Sequence, residues 1–166
     1  VDNLESYKKS ANSKNFFNII VSKSGSTLET ISNVNILLKK NDKNLFITQN
    51  DENYLRALAK KLKSEIQDER VTIINDSAEH IGTYLQQHQF EKADHIISSL
   101  PLSMFSLELK ESILHNATRF LSDVGQFLQF QYAPFDYKRL KRHFGSVKMN
   151  FSMRNFPPAF VYRCML

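Results

Sequence analysis

A chain of 166 residues, 42% hydrophobic and 23% charged, is long enough for one domain with a sizeable core and short for two. Its single cysteine, Cys164, excludes an intramolecular disulfide and a cysteine-rich metal site, and no apolar run approaches the ~20 residues that cross a bilayer. The formal net charge of +5 favours anionic partners, and with no signal-like opening the cytoplasm is the expected location.

Residues 1–15 read as a polar, lysine-rich lead-in to a single domain over 16–166, and the start at Val1 rather than Met leaves room for a missing upstream segment. FNIIV (17–21) reads as a strand, and TLETISNVNILLKK (27–40) as a helix with Ile31, Val34, Leu37 and Leu38 at helical spacing. NLFIT (44–48) is a second strand. Residues 50–66 read as one helix, capped by Asn50 or Asp51, acidic early and lysine-rich late as the helix dipole prefers. RVTIIN (70–75), ADHIISS (93–99) and GQFLQFQY (125–132) are further strands, separated by helices over 80–90 and 106–121. A basic amphipathic helix follows over 137–144. VKMNFSMR (147–154) and AFVYRCM (159–165), separated only by NFPP, read as two antiparallel strands.

Alternating β-α units closed by an antiparallel pair predict an α/β, Rossmann-like, doubly wound sheet of seven strands, mostly parallel. Ligands of such sheets bind outside the carboxyl ends of the strands, near the reversal of strand order. The loops SKSGST, TQND, NDSAEH and SSLPLS therefore carry the expected site.

The C-terminal half, ADHIISSLPLSMF through GQFLQFQYAPF to MRNFPPAFVYRC, resembles bacterial soluble phospholipid N-methyltransferase-like proteins, cousins of the ribosomal RNA adenine dimethyltransferases within the class I S-adenosylmethionine-dependent methyltransferases. The resemblance is specific over 93–164 and weaker over 17–92. It implies methyl transfer from S-adenosylmethionine to a nitrogen, the amine of phosphatidylethanolamine in the phospholipid enzymes. On this resemblance the cofactor residues are Ser22, Ser24, Gly25 and Ser26 after strand one, Thr48 and Gln49 after strand two, and Asp76 and Ser77 after strand three, with Asp76 near the adenine amine.

The front half departs from the family pattern. Gly25 is its only glycine, so Ser24, Ser26 and Thr27 partly fill the space that glycines leave for the cofactor. Thr48 or Gln49 stands where the family has a ribose-binding acid, and a neutral side chain binds hydroxyls about half as strongly.

Amine methylation needs a neutral nitrogen with its lone pair aimed at the methyl carbon. Ser98, Ser99, Leu100 and Pro101 are the candidate orienting turn, with carbonyls and hydroxyls as acceptors. Leu102, Met104, Phe105 and Tyr132 are the candidate apolar wall. Arg154 and Arg163, in the terminal strand pair, are candidates either for lipid phosphate or, as the more expected role, for pairing with carboxylates, with Arg154 taken as the substrate contact. The cluster Lys138, Arg139, Lys141, Arg142, His143 and Lys148 suits an anionic or zwitterionic phospholipid surface, with peripheral membrane association; nucleic acid ranks lower without a base-reading module.

Two other readings stand beside this one. SKSGSTLET also resembles the serine-rich phosphate loop of sugar isomerase domains, which implies a sugar-phosphate-binding protein. The weakened cofactor loops equally suit a cofactor-free pseudo-methyltransferase that binds or regulates. The histidines show no ligand spacing, no metal is expected, and each histidine reads as a surface or capping residue.

Overall fold

A computed structural model describes residues 17–22, 43–48, 52–152 and 158–166. The lead-in 1–15 and the helix expected over 27–40 lie outside the described residues. The elements are β1 (Phe17–Ser22), β2 (Lys43–Thr48), α1 (Glu52–Lys61), α2 (Lys63–Gln67), β3 (Val71–Asn75), α3 (Ile81–Gln87), β4 (Ala93–Ser98), α4 (Leu107–Phe120), β5 (Leu121–Gln131), α5 (Tyr137–His143), β6 (Ser146–Ser152) and β7 (Ala159–Met165).

They form a seven-stranded sheet of order β3-β2-β1-β4-β5-β7-β6, with β7 antiparallel to both neighbours and the other adjacent pairs parallel. This is the architecture expected from the sequence. The order reverses between β1 and β4, so the crevice at their carboxyl ends is the place for a ligand.

All of β1 is buried, which explains why it reads as a continuous apolar run rather than an alternating one. Its side chains divide between two cores. Ile19 and Val21 join Leu45, Ile47 and Ile96 on one face, while Ile20 joins Phe46, Ile97 and Leu58 on the other. Each such buried side chain contributes roughly 1.5–3 kcal/mol by leaving water.

Three boundaries differ from expectation. The helix expected over 50–66 is two, broken at Leu62 (φ −102°, ψ 25°), whose side chain stays buried in the core. The helix expected over 80–90 begins as a 3-10 turn, Ala78–His80, and stops as Gln89 enters the left-handed region at φ 61°. β5 starts at Leu121 with no intervening turn, and residues 122–125 are absorbed as a bulge: Ala93 pairs Leu121, but His95 pairs Gln126. Gly125 permits this, since a Cβ there would sit 2.9 Å from the Asp94 carbonyl oxygen.

Candidate functional site

The carboxyl edge at the reversal is closed by backbone before any side chain is considered. Ser99 N donates to the Val21 carbonyl (3.0 Å), and Asp76 N donates to the Thr48 carbonyl (3.0 Å). The ends of β1 and β4, and of β2 and β3, are thereby stitched together. Ser22, Thr48, Asp76, Ser98 and Ser99 share one edge of the sheet. Ser24, Gly25, Ser26, Gln49 and Arg154 lie outside the described residues.

Ser22 ends β1 with its hydroxyl buried and without a hydrogen-bond partner among the described residues. Buried hydroxyls are nearly always paired, and this orphan's place at the edge where ligands of such sheets bind makes it a candidate contact for a ligand's polar atom. Thr48, also buried, directs its hydroxyl at the Ile74 carbonyl at 3.5 Å, the outer limit of a hydrogen bond.

Asp76 is the most constrained group of the edge. Its Oδ1 accepts from Ser77 N (2.7 Å); its Oδ2 accepts from the Tyr84 hydroxyl and contacts His80 Nδ1 at 2.8 Å. The Tyr84 bond, aided by the Ser77 and His80 bonds, holds the carboxyl below its ordinary range, and the Asp76 bond pushes the Tyr84 phenol up. A carboxylate offers about four lone-pair sites. Three are occupied, so one remains on Oδ1, on a side chain that is 32% exposed. That vacancy suits a single N–H donor such as an exocyclic amine. Ser77 itself is spent, since its hydroxyl accepts from Glu79 N (3.3 Å) and caps the 3-10 turn.

The turn after β4 is tighter than expected. Pro101 has φ −76° and ψ 72°, the inverse γ-turn, and Leu102 N donates to the Leu100 carbonyl (2.8 Å). The same carbonyl accepts from Gln129 Nε2 (2.8 Å). With both lone pairs taken, the Leu100 carbonyl is not available to a substrate amine, contrary to the expectation for an exposed turn. Ser98 Oγ accepts from Leu100 N (3.3 Å), and Ser99 Oγ is directed at the Val21 carbonyl (3.5 Å). Of the four candidates, Ser99 is the half-buried hydroxyl at the crevice, while Ser98 is buried behind it.

The apolar wall is also revised. Leu102 is fully buried and belongs to the core, because the γ-turn points it inward. Phe105 is half-buried against the same core, whereas Met104 and Tyr132 are exposed, Tyr132 edge-on to Phe130.

Sequence reasoning passed over Gln129 and Gln131. Both are buried on β5, on the face that also buries Phe127. Gln129 Nε2 donates to the Leu100 and Phe130 carbonyls, and Gln131 Nε2 donates to the buried Asp136 (3.0 Å). The legible signal was the i, i+2 spacing of two glutamines on the inward face of an apolar strand.

The basic cluster is dispersed. Arg139 and His143 both bind Glu111 of α4, His143 at 2.7 Å, and these bonds lower the Glu111 pKa, the His143 bond most. Lys141 lies over the Tyr137 ring, Leu140 is in the core, and Lys148 is on β6. His95 corrects the expectation of surface histidines: it is buried, with Nδ1 2.8 Å from Asn18 Oδ1. Cys164 is a buried strand residue, its thiol pushed up to about 12 by burial. Among the described residues no group of His, Cys, Asp and Glu could hold a metal, and no helix is long and apolar enough to cross a membrane.

A cavity of about 600 Å³ opens elsewhere, at the amino ends of β1, β2 and β3, lined by Phe17, Lys43, Val71 and Phe90 among others. It lies at the opposite edge from the residues above.

No protein-family model matches the chain. An ornithine lipid N-methyltransferase of Singulisphaera acidiphila is 27% identical over 124 residues, 74% of this chain and 63% of that protein, so the chain spans just under two thirds of that relative's length. Among solved structures, the Haemonchus contortus phosphoethanolamine N-methyltransferase 1, determined with phosphoethanolamine and S-adenosylhomocysteine, aligns at TM-score 0.70 and 13% identity over 99% of this chain and 40% of that one. Precorrin-6y C5,15-methyltransferase of Geobacter metallireducens aligns at TM-score 0.66 and 14% identity over 97% and 85%. The chain has the Rossmann-like fold of the class I methyltransferases.

Proposed function

We propose that the chain is an S-adenosylmethionine-dependent N-methyltransferase acting on the amine of a lipid. The observation that carries the cofactor half is the Asp76 carboxylate: held by three donors, it keeps one acceptor site for the adenine amine. The orphan hydroxyl of Ser22, at the end of β1, fits a polar atom of the cofactor's amino-acid part. Thr48 stands at the ribose. The cofactor supplies an electrophilic methyl on sulfur.

The chain's own contribution is alignment. Ser99 accepts an N–H of the incoming amine, so that the nitrogen lone pair faces the methyl carbon. Gln129 holds the Leu100-Pro101 turn against β5, which fixes where the Ser99 hydroxyl stands. No strong base is called for, because an amine that arrives neutral needs only to shed a proton to solvent after transfer. The lipid half rests on the ornithine lipid N-methyltransferase relative together with the turn after β4.

Titration of the purified chain with S-adenosylhomocysteine by calorimetry tests this. Binding in the micromolar range that falls at least tenfold in Asp76→Ala supports the proposal. A folded chain that binds none of it fits the cofactor-free reading, and glucose 6-phosphate titrated in parallel decides whether the serine loop has its sugar-phosphate meaning.

A further inference from the structure

Among the described residues, the eight large apolar side chains that stand exposed are not scattered evenly. Met104 follows β4, Leu107 opens α4, and Tyr132 and Phe135 follow β5, so these four lie at the carboxyl edge. Phe151 joins them. It pairs with Phe160, which pairs with Gln131 at the end of β5, so Phe151 stands level with the same edge. Met104 and Phe135 are each 77% exposed. Single exposed apolar residues need no explanation, but five around the rim of one edge do.

Charge accompanies them. α5 starts at this edge, and its apolar residues Tyr137 and Leu140 are turned to the core, which leaves its basic side outward. Arg139 and His143 are tied to Glu111, but Lys138 and Arg142 are exposed and have no ion pair among the described residues. An apolar rim beside outward cations is the composition that seats a protein in the headgroup region of an anionic bilayer.

We propose that the carboxyl edge is a membrane-docking face: Met104, Leu107, Tyr132, Phe135 and Phe151 enter the interface of an anionic phospholipid bilayer while Lys138 and Arg142 meet its headgroup phosphates. The inference deepens the lipid-amine reading, since docking by this edge brings the turn after β4 to the headgroups. In this proposal the apolar rim, rather than the basic cluster over 138–148, supplies the larger share of the attachment.

The test is sedimentation of the chain with vesicles of phosphatidylcholine, with and without phosphatidylglycerol, for the unaltered protein, Phe135→Asp, Lys138→Glu/Arg142→Glu and Val124→Asp. Val124 is exposed like Phe135 but lies in the β5 bulge, towards the other edge, and serves as the control. Phe135→Asp is expected to weaken partitioning into phosphatidylglycerol vesicles about tenfold or more, as removal of one buried aromatic anchor does. The double charge reversal is expected to weaken it by a similar factor, in a salt-dependent way, and Val124→Asp to leave it unchanged.

Failure of the unaltered chain to sediment with anionic vesicles overturns the proposal. So does equal weakening by Phe135→Asp and Val124→Asp, or a concentration-dependent dimer, seen by light scattering, that Phe135→Asp abolishes. S-adenosylhomocysteine titrations on the same proteins separate the two ideas. Cofactor binding without vesicle binding removes the docking face alone, and vesicle binding without cofactor binding removes the methyltransferase reading alone. Unchanged melting curves confirm that each variant is folded.

Discussion

The carboxyl ends of β1 to β3 and those of β4 and β5 solve the same problem in opposite ways. Behind the turn after β4, a buried glutamine and an inverse γ-turn consume the local acceptors, and the backbone is left little freedom. Along β1 to β3 the side chains keep capacity in reserve: a hydroxyl with no partner among the described residues at Ser22, and an unused lone pair on Asp76. A surface that orients an incoming amine, as proposed for the turn after β4, is served by rigidity. A surface that must receive a larger ligand is served by unspent hydrogen-bonding groups.

The sharpest way to break this contrast is Gln129→Glu. The carboxylate would face the Leu100 and Phe130 carbonyls where Nε2 now donates, leaving a buried, uncompensated charge that costs about 3–5 kcal/mol. Burial would raise the folded-state pKa above the unfolded value. Stability is then retained below the unfolded pKa, near 4.3, and lost as pH rises through the folded one. Thermal melts should show severe destabilisation at neutral pH and partial recovery in acid. Melting unaffected by pH would mean that the glutamine is not the clamp described.

Gly125→Ala should follow in size. Its Cβ would press on a backbone oxygen, which cannot swing aside as a side chain can, and overpacking of this kind costs about 1–3 kcal/mol. Denaturant midpoints measure it. The bulge should then register as a required part of the β4-β5 seam, whereas a neutral result would make residues 122–125 a tolerant loop.

On the cofactor side the expected effects are smaller and concern binding. Asp76→Asn should weaken S-adenosylhomocysteine binding about tenfold, and Tyr84→Phe a few-fold, because it releases the carboxylate without removing it. The pH dependence has a definite sign at both ends. Asp76 is depressed, so its contribution is present above the ordinary carboxylate range and lost as pH falls through its folded value. Tyr84 is raised, so its contribution is present below the ordinary phenol value and lost as pH rises through its folded value. Tyr84→Phe should flatten the alkaline limb of a melting-versus-pH curve.

The same division governs what the amino-acid sequence alone makes legible. The apolar runs of β1, β2 and β4 and the NFPP break between the last strands sufficed for the sheet and its antiparallel end, because those patterns arise from burial on both faces and from proline's missing donor. Leu102 was misread, since an apolar residue after a proline looks the same whether a γ-turn sends it inward or out. The start of β5 was misread because Ser122-Asp123-Val124-Gly125 has turn composition, while register with β4 makes it a bulge. Gln129 was missed because polar residues in strands are ordinarily solvent-facing, and only the packing of α4 and α5 over that face shows otherwise.

The smallest expected effect is also the most discriminating for the cofactor edge. Ser22 Oγ is buried with no partner among the described residues, and counted over those residues the hydroxyl is a net cost to folding. Ser22→Ala should therefore leave stability unchanged or raise it by about 0.5–1 kcal/mol while weakening S-adenosylhomocysteine binding a few-fold. The opposite signs are the point. A residue kept for the fold loses stability when truncated, and one kept for a ligand loses affinity alone. If the melting temperature falls and affinity does not, Ser22 is satisfied from within the chain, and the reserve capacity of the β1 to β3 edge reduces to Asp76.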